Sequence, residues 1–163
     1  MTNEEIWLYK NSGGGGSTSE MTISVPSLDG KTPIIFEDDP RFEITNPNGW
    51  QRKDLFKFNE QNMYSSPQIG DSQSSAITIK NVSPSSIFMR IAYDSSSEGN
   101  GYDYGQIFIN DVDIAGQIGG TAKGVTDVVA LSSDAVLTFT YRKDGGSAVG
   151  LDNVGMLAFE IGA

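Results

Sequence analysis

Carboxylates carry most of the chemistry open to this chain. Its 163 residues include 21 Asp and Glu against 11 Lys and Arg, a formal charge of −10, with no histidine and no cysteine. That composition excludes Cys/His zinc sites, disulfide frameworks, and the Ser-His-Asp and Cys-His nucleophile systems. Hard-cation binding and paired-carboxylate chemistry remain, and three acidic groups have suggestive spacing. Glu37-Asp38-Asp39 precedes Pro40; adjacent carboxylates repel unless solvated or bridged by a cation, so the run is an exposed turn or a cation site completed from another strand end. Asp94, Ser96, Glu98 and Asn100, with Gly99 between, follow the opening of a helix–loop–helix calcium loop. The twelfth position is Gly105 rather than the bidentate Glu such a loop requires, so that loop is excluded. A solvated turn or a looser calcium site is left. Asp144 and Asp152 flank Gly145-Gly146-Ser147-Ala148-Val149-Gly150, where Asp-Gly is itself a turn signal. A glycosidase needs two carboxylates facing each other across a cleft, and with 21 acidic residues a candidate pair is no signal. The expectation is that the chain is not an enzyme.

Planar rings form the second chemical set. Trp50, Tyr64, Tyr102 and Tyr104 lie in or beside turn-rich sequence, with Asp103 between the last two. Exposed rings beside a carboxylate suit pyranose faces, so Tyr64, Tyr102, Asp103 and Tyr104 are the glycan-binding candidates; the same rings also fill sandwich cores. Trp50, after Asn48-Gly49, is expected to plug the core at a strand entrance. Gly119–Gly124 lacks a following Gly-Lys-Ser/Thr, so phosphate cradling is not expected there, only an inter-strand loop. The acidic balance disfavours nucleic acid and anionic lipid. No run approaches the roughly 18 apolar residues of a membrane helix, so membrane insertion is not expected.

The elements that would position these groups are short strands. Residues 1–12 hold an apolar-aromatic cluster, Ile6, Trp7, Leu8 and Tyr9; residues 13–20 are a Gly/Ser linker; residues 21–163 are dense in β patterns. Strands are predicted at Met21–Val25, Thr32–Glu37, Ala76–Lys80, Ile87–Tyr93, Gln106–Ile109, Thr126–Leu131, Ala135–Lys143 and Met156–Ile161. Alternation puts Ile87, Met89 and Ile91 on one face, and likewise Leu137, Phe139 and Tyr141. About eight short strands without helices predict an all-β fold, an antiparallel β-sandwich of jelly-roll type.

An ordered set of short motifs runs through residues 34–161. Ser74–Ile79 leads to Ile87–Glu98 with its Ser-Ser-Glu ending, then Tyr102-Asp103-Tyr104 and the strand to Asn110; Val136–Asp144 closes in Tyr-Arg-Lys-Asp, and Gly150-Leu151-Asp152-Asn153-Val154 follows. With Phe36-Glu37 and Gly49-Trp50 at the opening, this resembles the galactose-binding-like and MAM-like jelly rolls. Two positions depart from the pattern: Ala115-Gly116 stands for the usual Ser-Gly, and Asn110-Asp111 for Asp-Gly. The resemblance implies a binding or adhesion module, sometimes with a structural metal between the opening segment and the last strand. On this chain that points to Glu37, Asp38 or Asp39 with Glu160, and to a structural calcium.

The N-terminus has neither the basic start nor the apolar stretch of a secretory signal. A sandwich of this type made in a cytoplasm fits a bacteriophage virion protein, a capsid decoration or a fibre or tail component. In that setting Ile6, Trp7, Leu8 and Tyr9 would anchor the chain to other virion proteins, by burial or by strand addition. The sandwich would face cell-surface or mucosal glycans. The alternative is an extracellular carbohydrate-binding module from a secreted enzyme or adhesin.

Overall fold

The computed structural model describes residues 28, 30–98, 101–145 and 151–162. The predicted arm 1–12, the linker 13–20 and the predicted strand Met21–Val25 lie outside the described residues. Twelve strands appear among the described residues: β1 Phe42–Thr45, β2 Gln51–Phe58, β3 Gln61–Ser65, β4 Ser74–Asn81, β5 Ile87–Ser96, β6 Tyr104–Ile109, β7 Val112–Asp113, β8 Ile118–Gly119, β9 Lys123–Val125, β10 Val129–Leu131, β11 Val136–Arg142 and β12 Asn153–Glu160. They make two antiparallel sheets, ordered β1-β4-β11-β6-β7 and β10-β5-β12-β3-β2, with β8 added to β6 and β9 to β5. The expected all-β antiparallel sandwich is what the chain forms, consistent with a jelly-roll-like domain.

Alternation explains which faces close on each other. In β4, residues Ser75, Ile77, Ile79 and Asn81 are buried while their neighbours are half-exposed; in β11 the buried set is Leu137, Phe139 and Tyr141. Opposite them stand Ile87, Met89 and Ile91 of β5. Between the layers Phe36, Phe42, Tyr64, Trp50 and Phe139 gather, with Phe36 5.1 Å edge-on to Phe42 and Trp50 6.4 Å from Phe139. Trp50 is 2 % exposed, the expected plug.

The central strand β12 does not alternate, because both its faces are covered: every residue from Asn153 to Phe159 is buried. Its register with β5 runs unbroken from Asn153↔Ser96 to Glu160↔Met89. On the outer side β2 folds back over it. Pairing of β2 with β3 jumps from Arg52↔Tyr64 to Lys57↔Asn62, so extra β2 residues bulge out. Phe56 from that bulge lies directly over Gly155, where an added Cβ would come within 2.8 Å of the Phe56 Cβ. Phe58 packs edge-on against Phe159 at 5.6 Å.

Several boundaries differ from those predicted. Thr32–Glu37 is not a strand. Pro33 bridges to Phe159, and the chain then tightens into a 3-10 turn at Phe36–Asp38. The hairpins β2–β3 and β6–β7 turn on Asn59-Glu60 and Asn110-Asp111, all four at positive φ. That matches the two-residue turns that agree with strand twist. Gly119–Gly124 is not a plain loop either, since β8 and β9 take its ends.

Candidate functional site

Two groups of acidic residues stand at the two ends of β12. At its C-terminal end Glu160 meets Asp39, with Arg41 between them. The Arg41 guanidinium donates to Asp39 Oδ2 at 2.7 Å and to Glu160 Oε1 at 2.8 Å and Oε2 at 2.9 Å, while Asp39 Oδ1 accepts from Arg41 Nε and its backbone N–H at 3.0 Å. The hydrogen bonds to Arg41 hold both carboxyls below their ordinary range and raise the Arg41 pKa further. Asp39 and Glu160 therefore do converge, but all four of their oxygens are taken by a guanidinium, and this donor set does not fit a metal ion. Glu37 turns elsewhere, accepting a short hydrogen bond from the Tyr64 hydroxyl, and Asp38 is exposed.

The glycan candidates also separate. Tyr64 is 1 % exposed: its oxygen accepts from the Phe36 N–H at 2.8 Å and donates to Glu37. Burial, then the Glu37 carboxylate, push its pKa well above 10. Tyr104 is 8 % exposed, its hydroxyl accepting from Arg142 at 2.9 Å and its ring lying beneath that guanidinium. Asp103 is wholly buried. None of these three can stack on or face a sugar, because each is committed to the interior. Tyr102, 51 % exposed, is the ring that reaches solvent. An open groove of about 330 Å³ lies along Ile35, Glu37, Asp38, Trp50, Gln51 and Arg52; its Trp50 is too buried to offer a ring face.

At the opposite end of β12 the loops after β5 and β11, with the segment leading into β6, bring Glu98, Asp103, Asp144 and Asp152 together. One carboxylate oxygen each from Glu98, Asp103 and Asp144 lie within 4.8 Å of one another. Asp103 Oδ1 accepts the Asp144 N–H at 2.9 Å, whereas Asp103 Oδ2 and Glu98 Oε1 are buried with no hydrogen-bond partner. Asp152 lies against Asp103, close enough for the two carboxyls to share a proton. Asp152 itself is well served, by Tyr141 Oη and Lys143 Nζ, both at 2.6 Å, and Lys143 is 3.6 Å from Asp71. The two carboxyls respond oppositely. Burial raises the Asp103 pKa, and the Asp152 and Asp144 charges raise it further against the pull of the Asp144 N–H. Burial opposes ionisation of Asp152 as well, but the Lys143 and Tyr141 hydrogen bonds outweigh it and keep that carboxyl low. Ser97 fixes the loop from beneath, donating to the Asp103 carbonyl at 2.9 Å and accepting from the Gly120 N–H at 3.1 Å.

The sequence singles out Glu98, Asp144 and Asp152 in turn regions and Asp103 as a glycan candidate, without joining them. Asp94 and Ser96, the apparent partners of Glu98, face elsewhere: Asp94 pairs with Lys123 at 3.5 Å, and Ser96 accepts the Leu151 N–H. The usable signal was the order of the resemblance motifs, since Ser-Ser-Glu, Tyr-Asp, Lys-Asp and Leu-Asp all end at this one pole. No protein-family model matches the chain, and no curated protein matches it.

Proposed function

We propose that this chain is a non-enzymatic display module of galactose-binding-like or MAM-like type on a bacteriophage virion. Residues 1–12 dock it to other virion proteins, residues 13–20 space it from the surface, and the sandwich offers its loop pole to cell-surface or mucosal glycans. The polarity of the sandwich carries this reading. Its first described segment pairs with the C-terminal end of β12, through Ile34 N–H to Ala158 O at 2.8 Å and Glu160 N–H to Thr32 O at 3.2 Å. The exposed Tyr102 follows the Glu98 loop at the other end, beyond Asn153. Eight strand residues separate the two ends, about 25 Å at the usual rise per residue. A tether at one pole and an exposed ring with polar neighbours at the other is the arrangement a displayed binder needs.

Amide hydrogen exchange on the isolated full chain tests it. Fast exchange across Met1–Ser19 beside a protected sandwich is the expected result, since a docking arm orders on its partner. Strong protection there in the monomer would mean the arm packs on its own chain, and the display reading would fall.

A further inference from the structure

We propose that Glu98, Asp103 and Asp144 form a calcium site that ties together the loop pole of the sandwich. Three observations converge on it. The carboxylates come from three places in the chain, after β5, before β6 and after β11, and their oxygens lie within 4.8 Å of one another. Oxygens this close can share a central ion at calcium–oxygen distances of roughly 2.3–2.6 Å. Asp103 is wholly buried, and its Oδ2, like Glu98 Oε1, has no hydrogen-bond donor. A buried carboxylate oxygen without donor or cation is costly, so native structures rarely leave one. Lys143 does not meet that need, because its ammonium is held by Asp152 at 2.6 Å, with Asp71 beyond.

An all-oxygen, three-carboxylate set selects a hard divalent cation. Its placement on loops rather than within strands suits the flexible coordination of calcium over the strict octahedron of magnesium, with water completing the shell. The site lies apart from the Asp39–Arg41–Glu160 cluster. It requires neither the virion setting nor glycan binding, so it stands or falls independently of the display role. If that role holds, the ion would hold Asp103, the neighbour of the exposed Tyr102.

The test uses the full chain, stripped with chelator and titrated calorimetrically with calcium chloride, alongside thermal melting in calcium, in magnesium and in chelator at matched ionic strength. Expected are one calcium per chain with a dissociation constant on the order of 10⁻⁴ M, a melting temperature that climbs with calcium concentration, and a smaller response to magnesium. Asp103→Asn and Glu98→Gln should each weaken calcium binding at least about tenfold, the loss expected on removing a direct charged ligand. Calcium-free Asp103→Asn should melt no lower than the calcium-free wild type, because an amide still accepts the Asp144 N–H and no longer repels Asp152. Absence of binding heat and of any melting shift at millimolar calcium would overturn the proposal, leaving a proton shared by Asp103 and Asp152 as the neutralising element. A calcium response undiminished in both variants would overturn it equally.

Discussion

The Tyr64 hydroxyl is a buried junction whose removal has a calculable cost. In Tyr64→Phe the ring and its packing stay, but the Phe36 N–H loses its acceptor and Glu37 loses a donor. A buried amide left unsatisfied costs about 1–3 kcal/mol, and a hydrogen bond to a charged group contributes about 1.5–3 kcal/mol. The two share one oxygen and do not simply add, so the expected loss is about 2–4 kcal/mol. At roughly 3–4 °C per kcal/mol for a domain of this size, the melting temperature should fall by roughly 6–16 °C. Urea denaturation with an unchanged m-value would report the free energy directly, and exchange at the Phe36 amide should accelerate. Glu37→Gln keeps an acceptor but removes the charge, so it should cost less. Combined with Tyr64→Phe it should add little, leaving a coupling energy above about 0.5 kcal/mol. A Tyr64→Phe loss below about 0.5 kcal/mol, or fully additive effects in the double variant, would refute this account of the junction.

Three further outcomes are expected. Gly155→Ala should destabilise by about 1–3 kcal/mol through overpacking against the Phe56 Cβ, measured by denaturation. Arg41→Gln should cost about 1 kcal/mol at neutral pH, since its partners are partly solvated. Because Arg41 depresses the Asp39 and Glu160 pKa values, the stability it supplies is present above the ordinary carboxylate range and disappears as pH falls through the depressed values; acid titration of stability should flatten in the variant. Burial raises the pKa of Tyr64 and of Tyr141, with carboxylate partners adding to it. The stability linked to them is intact below pH ~10 and declines above it by ~1.4 kcal/mol per pH unit for each tyrosine, so alkaline unfolding monitored by tyrosinate absorbance should be steep.

β5 and β11 were legible in the sequence, whereas β1 and β3 were not. Alternation in Ile87–Tyr93 and Leu137–Tyr141 reported a face toward the core and a face toward solvent, and β5 and β11 formed there. β2 was not legible, because Arg52, Lys53, Asp54 and Lys57 give it a polar composition and its few apolar residues serve a bulge over β12 rather than the inner face. Its turn was hidden too, since Asn59-Glu60 lacks the glycine that usually marks a two-residue hairpin. Thr32–Glu37 read as a strand because its residue types favour one, whereas tertiary contacts set its shape: Phe36 enters the aromatic cluster and its amide bonds to Tyr64 rather than to a neighbouring strand. The acidic pole escaped notice for a related reason. Asp103 and Glu98 are five residues apart, but Asp144 joins them only through the pairing of β11 with β6, which no local pattern encodes. Tyr64 and Tyr104 likewise resembled surface rings until the Glu37 and Arg142 contacts placed them indoors.

The pairing of Thr32 and Ile34 with the end of β12 also sets how the sandwich would carry a mechanical load. A pull between a surface at that end and a ligand held at the far pole runs lengthwise along β12 and β5, whose register is unbroken over eight residue pairs. Their cross-strand hydrogen bonds then resist together, in shear. A pull between Thr32 and Ile161, which leave the sandwich side by side, would instead peel the first pairings one at a time. Optical-trap extension in the two geometries should give a higher rupture force for the pole-to-pole direction, so the sandwich is strongest along the length of β12 and β5.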